Sequence, residues 1–522
     1  MRSFLNIEAV MLKKRLLEVV KSYPNKTAIA YDNVKISYQE LYAKIQHLSH
    51  YLSKTGITQG DCIALVLPNI PEFAIAFYAI AKINAIALPI NPLLKEEELS
   101  YYIIDSKARA IITNSDGADI SRKIISKLDK KIELIVIDDM KLSYPVNNSI
   151  IPESASNFSG DVLYQYSSGS TGRPKRVCRS QNNLYHEVIN FTQTTNISSA
   201  DNILCLVPLY HAHGLGNCLL AALSNGATLA VLEQVTNQGK AIEVPFVFRR
   251  ARVLELIEKE QITILPAVPY IFNTLAETPN DTQVDISSLK LCFSAGNFLA
   301  KEIFDKFLQR FDIPVRQLYG CTEAGSIAIN LDADLTSTYN SVGEPLKNIE
   351  IKIIDDAGKE LPIGTTGEIV IKSPALTKGY CNQPKLNQQV FQNGRFFTGD
   401  LGIKDELGRV YITGRKQIFI DTGGHKVDPL EIEKILITHN QVKEAVVVGI
   451  KGSYAGEIIK AVIVTQNQDI CDEKEIVSYC KDKLADFKVP KVIEFRNEIP
   501  KSPLGKVLRK NLIDNLSDKI TS

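Results

Sequence analysis

The chain carries almost no net charge: 60 basic residues stand against 59 acidic ones, for +1 at pH 7. Without a global basic field, binding to nucleic acid or anionic lipid is not expected, and any anion site has to be local. The nine cysteines contain no C-x-x-C pair and no Cys/His spacing suited to zinc. Such a dispersed, odd set reads as reduced thiols in a cytoplasmic compartment. A secretory signal is not expected at the start, because acids and lysines interrupt the apolar run of "MRSFLNIEAVMLKK". No transmembrane segment is expected either. The longest apolar stretch, "AIAFYAIAKINAIALPI", is broken by Lys82 and Asn84 and fits a buried helix followed by a strand. Internal repeats and long low-complexity linkers are also missing. What remains is a soluble globular chain of 522 residues, 45% hydrophobic and 23% charged, long enough for more than one domain.

From about residue 25 to 320, short apolar runs alternate with helix-periodic segments. "CIALVLP" is followed by the helical "IPEFAIAFYAIAKI" and then by "AIALPI"; "ARAIIT" and "IELIVID" are strand-like. "RRARVLELIEKEQ" reads as an amphipathic helix before the strand "ITILPAV", and "SLKLCFSAG" ends where a strand meets a loop. Strands alternating with helices predict an α/β region whose parallel sheets are covered on both faces. Ligands of such sheets sit beyond the C-terminal ends of the strands. Near residue 340 the pattern changes to tight alternation, "NIEIKIIDDAGKELPIGTTGEIVIKS", which predicts antiparallel β-structure, a small barrel or sheet. Further on, "DPLEIEKILITH" predicts a helix with Asp428 as N-cap and Pro429 at its first position. The last hundred residues read as a compact α+β unit. The boundary falls at Gly414–Arg415, giving an N-terminal domain of residues 1–415 and a C-terminal domain of residues 416–522.

One segment looks built for an anion. "YQYSSGSTGRPKRV" places Ser167, Ser168, Gly169, Ser170, Thr171 and Gly172 ahead of Pro174, Lys175 and Arg176. The hydrolase phosphate loop G-x-x-x-x-G-K-[ST] does not fit it. Pro174 stands at the second glycine, and Arg176 stands where a Ser or Thr would ligate Mg²⁺. Pro174 also removes one N–H from any phosphate nest. The segment therefore joins two strands, "VLYQYS" and "RVCRS", and its hydroxyls and amides can still surround a phosphate. A surface Ser/Gly loop is the plainer alternative.

Six segments in order resemble the adenylate-forming enzymes: acyl-CoA synthetases, aryl-CoA ligases, amino-acid adenylation domains and luciferases. They are "YSSGSTGRPKRV", "PLYHAHGL", "QLYGCTEAG", "FFTGDLG", "GRKQIFIDTGGHKVDPLEIE" and "PKSPLGKVLRKNL", and they span nearly the whole chain. The resemblance implies two α/β subdomains and a β-barrel in the large N-terminal part, with a mobile α+β C-terminal domain. It implies that ATP and Mg²⁺ activate a carboxylic acid to an acyl-adenylate, with release of pyrophosphate, before a thiol such as CoA takes the acyl group. By the same resemblance Glu323 matches the Mg²⁺ ligand, and Thr322 donates its hydroxyl to the α-phosphate. Tyr319, Gly320 and Gly296 match the adenine side of the site. Asp400 matches the acceptor of the ribose hydroxyls, and Arg415 a cation for ribose or phosphate. Lys506 matches the mobile lysine that bridges carboxylate and α-phosphate. His211 matches the mouth of the acyl pocket, and Gly424 the glycine lining the pantetheine tunnel. His213 reads as a packed, satisfied histidine.

Three places depart from the family pattern. Arg176 takes a glycine position, where it could clash with the closed loop or add charge near the pyrophosphate. Gln417 and Ile418 replace the usual hinge residues; a glutamine can still hinge, because only a backbone rotation is required. Arg249, Arg250 and Arg252 read as a solvated helix start rather than as a grip on the CoA phosphates.

The acid is a fatty or aryl one on this reading. "PLYHAHGLGN" lacks the carboxylate that would bind an α-amine, and "AVPYIFNTLAE" and "CLLAALSNGA" are apolar and small. A dicarboxylate stays open, with no candidate second cation. The chain ends sixteen residues after Lys506, so no fused carrier domain is expected and CoA is the default acceptor. Loading a separate acyl carrier protein is the alternative. A non-catalytic relative is expected to lose Glu323, Asp400 or Lys506, and all three are present.

Overall fold

The computed structural model describes residues 12–128, 130–140, 158–167, 174–237, 240–279, 282, 284–415, 419–452, 456–466, 472–500, 507 and 509–513. The chain divides into two compact units. One comprises Met1–Pro92, Ile103–Gln165 and Arg176–Gly414; the other comprises Leu93–Tyr102, Tyr166–Lys175 and Arg415–Ser522. Among the described residues, no helix is long and apolar enough to cross a membrane.

Alternation of strand and helix builds the expected α/β architecture. A nine-stranded sheet runs in the order Glu344–Pro345, Gly325–Ile329, Val315–Cys321, Leu291–Ser294, Ile264–Ala267, Asn202–Cys205, Thr228–Val231, Thr27–Tyr31, Val34–Ser37. Its central strands, from Val315–Cys321 to Thr27–Tyr31, are parallel, and antiparallel strands close both edges. A six-stranded sheet runs Glu133–Val136, Ala110–Thr113, Cys62–Val66, Ile86–Pro89, Asp161–Ser167, Lys175–Ser180. Every residue of Cys62–Val66 is buried, as a strand covered on both faces requires. The helix Pro71–Lys82 is apolar nearly all round, so it lies inside the core, and Pro71 starts it where no intrahelical N–H is needed. Helix Tyr38–Lys54 starts at a capping box formed by Ser37 and Glu40. Helix Arg250–Lys259 buries Val253, Leu254, Leu256 and Ile257 on its apolar side.

After residue 340 the expected antiparallel structure appears. Glu350–Ile354, Gly367–Lys372, Arg395–Lys404 and Phe391–Gln392 pair in that order, and Val410–Arg415 joins Arg395–Lys404. In the second unit, Val442–Lys451, Glu457–Thr465 and Val492–Phe495 form a sheet packed by helices Pro429–Ile437 and Glu473–Lys483. Asp428 caps the first of these helices through the Leu430 N–H at 2.9 Å, with Pro429 at its first position.

Two expectations fail. The cysteines are not all reduced thiols: Cys178 and Cys381, 203 positions apart in sequence, are joined as a disulfide. Nor is the Arg249–Arg252 segment a solvated helix start. Arg249 Nη2 and Arg252 Nε both lie 2.9 Å from Glu233 Oε1. A carboxylate sixteen or more positions away has taken up charges that looked free from the local sequence.

Candidate active site

The C-terminal ends of four neighbouring parallel strands gather most of the candidate residues in the first unit. His211 follows Asn202–Cys205, Val268 follows Ile264–Ala267, Gly296 follows Leu291–Ser294, and Thr322 and Glu323 follow Val315–Cys321. Ligands of open α/β sheets bind at such an edge. Gly296 has φ +89°, a conformation that only glycine adopts without strain.

Thr322 and Glu323 sit in the tight turn between Val315–Cys321 and the antiparallel Gly325–Ile329. Gly320 is fixed by this hairpin: a Cβ there would come within 2.6 Å of the Gly325 carbonyl oxygen. Glu323 is buried. Its Oε1 accepts the Tyr380 hydroxyl at 2.8 Å, and its carbonyl accepts the Thr377 N–H at 2.8 Å. Asp400, also buried, accepts the Tyr319 hydroxyl on Oδ2 at 2.6 Å. Burial, and then the Asp400 charge, raise the Tyr319 pKa well above its ordinary value, so this hydroxyl remains a donor. The Cys321 thiol is raised likewise, by burial and then by the charges of Glu323 and Asp400, and stays protonated. Glu323 offers a buried carboxylate oxygen here, the kind of donor a hard divalent cation takes together with phosphate oxygens.

His211 is exposed, and its Nδ1 accepts the His213 N–H at 3.3 Å at the start of a short helix. That helix passes through a π-helical stretch at Leu215–Leu220. His213 is the packed, satisfied histidine expected. Its Nε2 meets the Ala267 carbonyl at 3.2 Å, and its Nδ1 meets the Asn217 amide at 2.9 Å. Burial pushes its pKa down to about 4. Of the apolar segment Cys218–Ala227, every residue but Asn225 is buried, so its composition serves the core directly.

The Arg176 side chain is held by Asp105 and Tyr164. Its guanidinium Nη1 lies 3.4 Å from Asp105 Oδ2 and also donates to the Asp105 carbonyl. The guanidinium carbon stands 4.9 Å from the Tyr164 ring centroid. The loop in which a clash or added charge is expected lies outside the described residues; Asp105 and Tyr164 are the partners that hold the side chain. We predict that Arg176→Ala leaves the KM for MgATP within about threefold and costs about 1–2 kcal/mol of stability, since Asp105 is partly exposed. A tenfold rise in that KM with an unchanged melting curve would instead make Arg176 a nucleotide ligand.

In the second unit, Ser167 ends the strand Asp161–Ser167, and the buried Lys175 opens Lys175–Ser180. Arg415 is exposed, its guanidinium carbon 5.2 Å from the Phe419 ring centroid. Gly424 and Gly423, at φ +97° and +66°, form the two-residue turn between Ile420–Thr422 and His425–Val427. Left-handed angles at both central residues are the mark of a type I′ hairpin, so the turn alone accounts for glycine at 424. Ser168, Gly169, Ser170, Thr171, Gly172, Gln417, Ile418 and Lys506 lie outside the described residues.

Sequence reasoning missed three residues that support this edge. Tyr380 holds Glu323 from 57 positions away. Arg179 and Glu187 form a buried ion pair at 2.5 Å, and Arg179 Nη2 also donates to the Ala375 carbonyl at 3.1 Å. The Glu187 carboxylate fills the space beside Gly216 and Gly325; a Cβ on either would come within 2.1 and 2.3 Å of it. One signal was available. Glu187 sits on the apolar stripe of helix Gln181–Thr195, with Leu184, Val188 and Phe191.

Residues 16–381 match the AMP-binding enzyme family, and residues 431–506 match the AMP-binding enzyme C-terminal domain. The chain belongs to this family and is an adenylate-forming enzyme. It is 30% identical to an oxalate–CoA ligase of Arabidopsis thaliana, over 97% of this chain and 98% of that one. It is 29% identical to a long-chain-fatty-acid–CoA ligase of Bacillus subtilis, over 96% of this chain and 94% of that one. Among solved structures, o-succinylbenzoate CoA synthetase from Bacillus subtilis superposes with a TM-score of 0.82 at 26% identity, covering 95% of this chain and 98% of that chain.

Proposed function

We propose that this enzyme uses ATP to convert a fatty or aryl carboxylic acid to its acyl-adenylate, then passes the acyl group to the thiol of CoA. The observation that carries this reading is two buried carboxylates held by tyrosine hydroxyls: Glu323, at the C-terminal edge of the parallel sheet, by Tyr380 at 2.8 Å, and Asp400, on the antiparallel strand Arg395–Lys404, by Tyr319 at 2.6 Å. A bare carboxylate is a poor acyl donor, because its leaving group is oxide. Attack by the acid's oxygen on the α-phosphorus releases pyrophosphate and leaves AMP as a good leaving group for the thiol.

Each residue of this chain then has a task. Glu323 holds Mg²⁺, which when bound neutralises phosphate charge. Thr322 donates its hydroxyl to the α-phosphate. Asp400 accepts the two ribose hydroxyls, and Tyr319, kept protonated, orients the Asp400 carboxylate. Gly296, Gly320 and the Tyr319 ring form the wall on which adenine rests. Ser167 to Gly172 and Lys175 receive the β- and γ-phosphates, and Arg415 reaches ribose or phosphate. Lys506 bridges the acid and the α-phosphate, a positioning that lowers the entropy cost of joining two anions. His211 stands at the mouth of the acyl pocket, and Gly424 borders the path of the thiol. Residues 416–522 act as the mobile domain that brings Lys506 in for the first step and Gly424 for the second.

Tyr380 is a positioning residue in this scheme. Tyr380→Phe removes one hydrogen bond to a buried carboxylate, a contribution of about 1.5–3 kcal/mol. We expect a roughly tenfold rise in the KM for MgATP, a higher Mg²⁺ requirement and an unchanged KM for the acid. A change confined to the acid's KM would remove Tyr380 from the metal side.

The test of the function is a panel of acids incubated with MgATP and hydroxylamine, repeated with CoA and with an acyl carrier protein as acceptor. Fatty or aryl acids should give hydroxamate, AMP and pyrophosphate, and CoA should give thioester. Preference for oxalate, malonate or an amino acid would overturn the choice of acid. Release of ADP with no AMP would overturn the chemistry.

A further inference from the structure

Cys178 and Cys381 belong to two segments that meet beside the candidate site. Their Cα atoms are 6.3 Å apart, within the span of a disulfide, and their sulfurs are joined. Cys178 lies in Lys175–Ser180, the strand that leaves the phosphate loop. Cys381 closes the segment Thr377–Cys381, which reaches in two directions. Toward the strand, the Cys381 N–H donates to the Arg176 carbonyl at 2.8 Å, Tyr380 pairs with Val177, and the Thr377 hydroxyl donates to the Cys178 carbonyl. Toward the site, Thr377 and Tyr380 hold the Glu323 carbonyl and carboxylate, each at 2.8 Å. One covalent bond therefore ties the strand Lys175–Ser180 to the segment whose Thr377 and Tyr380 position Glu323.

We propose that Cys178 and Cys381 form a reversible disulfide, a redox-responsive clamp that tightens MgATP binding when closed. The effect on MgATP rests on the reading of Glu323 and the loop given above; the bond itself does not. The oxidant is a low-molecular-weight disulfide such as oxidised glutathione. Cys381 is half-buried and Cys178 buried, so the Cys381 thiolate meets the small disulfide first. It forms a mixed disulfide and expels one small thiolate. The Cys178 thiolate then attacks the Cys381 sulfur and expels the second. The protein loses two electrons and two protons, and the small disulfide becomes two thiols. A metal is the competing use of this pair, because the two sulfurs and an Asp161 oxygen lie within 4.8 Å of one another. Three donors are one short of a structural zinc site, and among the described residues no fourth His, Cys, Asp or Glu joins the group.

The full-length enzyme is treated with oxidised glutathione or with dithiothreitol, alkylated, and digested without further reduction for mass spectrometry. Melting curves and the Kd for MgATP by calorimetry are taken in both states. The oxidised sample should yield one cross-linked peptide pair joining Cys178 to Cys381, melt about 5 °C higher, and bind MgATP about threefold or more tightly. Cys381→Ser and Cys178→Ser should abolish all three differences. Alkylation of both cysteines after oxidation, or a cross-link with the same Kd in both states, overturns the clamp. So does one zinc per chain that is lost in Cys178→Ser. A cross-link and tighter MgATP binding without any acid-dependent pyrophosphate exchange would leave the clamp standing and count against the proposed function.

Discussion

Glu323→Gln should lower ATP–pyrophosphate exchange about 10³-fold, equivalent to about 4 kcal/mol of transition-state stabilisation, while the variant stays folded. Folding is spared because the amide is nearly isosteric and its oxygen can still accept the Tyr380 hydroxyl, which lies 2.8 Å from Oε1. The substitution also removes a charge from a buried position, which by itself does not destabilise. What it takes away is the anionic oxygen pair that holds a hard cation against phosphate. The loss should therefore persist at saturating acid and be eased only in part by raised Mg²⁺. Glu323→Asp keeps the charge but withdraws it by one methylene, and it should fall between parent and Gln. Exchange in the Gln variant within tenfold of the parent, with melting unchanged, would mean that Glu323 does not hold the metal.

The residues whose placement could be read in advance are those whose surroundings are local in sequence. Cys62–Val66 is uniformly apolar because both sheet faces are covered, and a run of that kind has few other uses. Pro71 and Pro429 mark helix starts because a proline is tolerated there and hardly anywhere deeper in a helix. Thr322 and Glu323 are placed by resemblance alone; the structure adds that they close the tight hairpin after Val315–Cys321. Arg176 shows where such reading stops. Its position in the loop segment suggested an anion, but its partner Asp105 lies 71 positions earlier. Nothing within the loop reveals that carboxylate. The Cys178–Cys381 bond and the Tyr380–Glu323 contact are hidden for the same reason. Gly424 is instructive in another way. A tunnel wall and a type I′ turn both call for glycine, so the residue type alone cannot separate them.

The buried pair Arg179–Glu187 is the second place where a large effect is expected. Arg179 is 1% exposed and Glu187 3%, and they meet at 2.5 Å. Their mutual attraction offsets a heavy desolvation cost, so the pair adds little net stability over apolar residues of similar size. Removing one member is different, because the other is then a lone charge in the core. Arg179→Met should cost about 3–5 kcal/mol. For a unit of this size that lowers the melting midpoint by about 5 °C. Exchange activity should fall with it, since Glu187 packs against Gly325, two positions from Glu323. The double variant Arg179→Met/Glu187→Met should recover at least half of the lost stability, because no unpaired charge remains. A double-mutant cycle with no coupling, or a single variant melting within a degree of the parent, would show that the core tolerates the bare carboxylate. Recovery of melting without recovery of exchange would separate the pair's two roles. The charge would then be needed to hold the Glu323 hairpin in place, and the core would need only the volume.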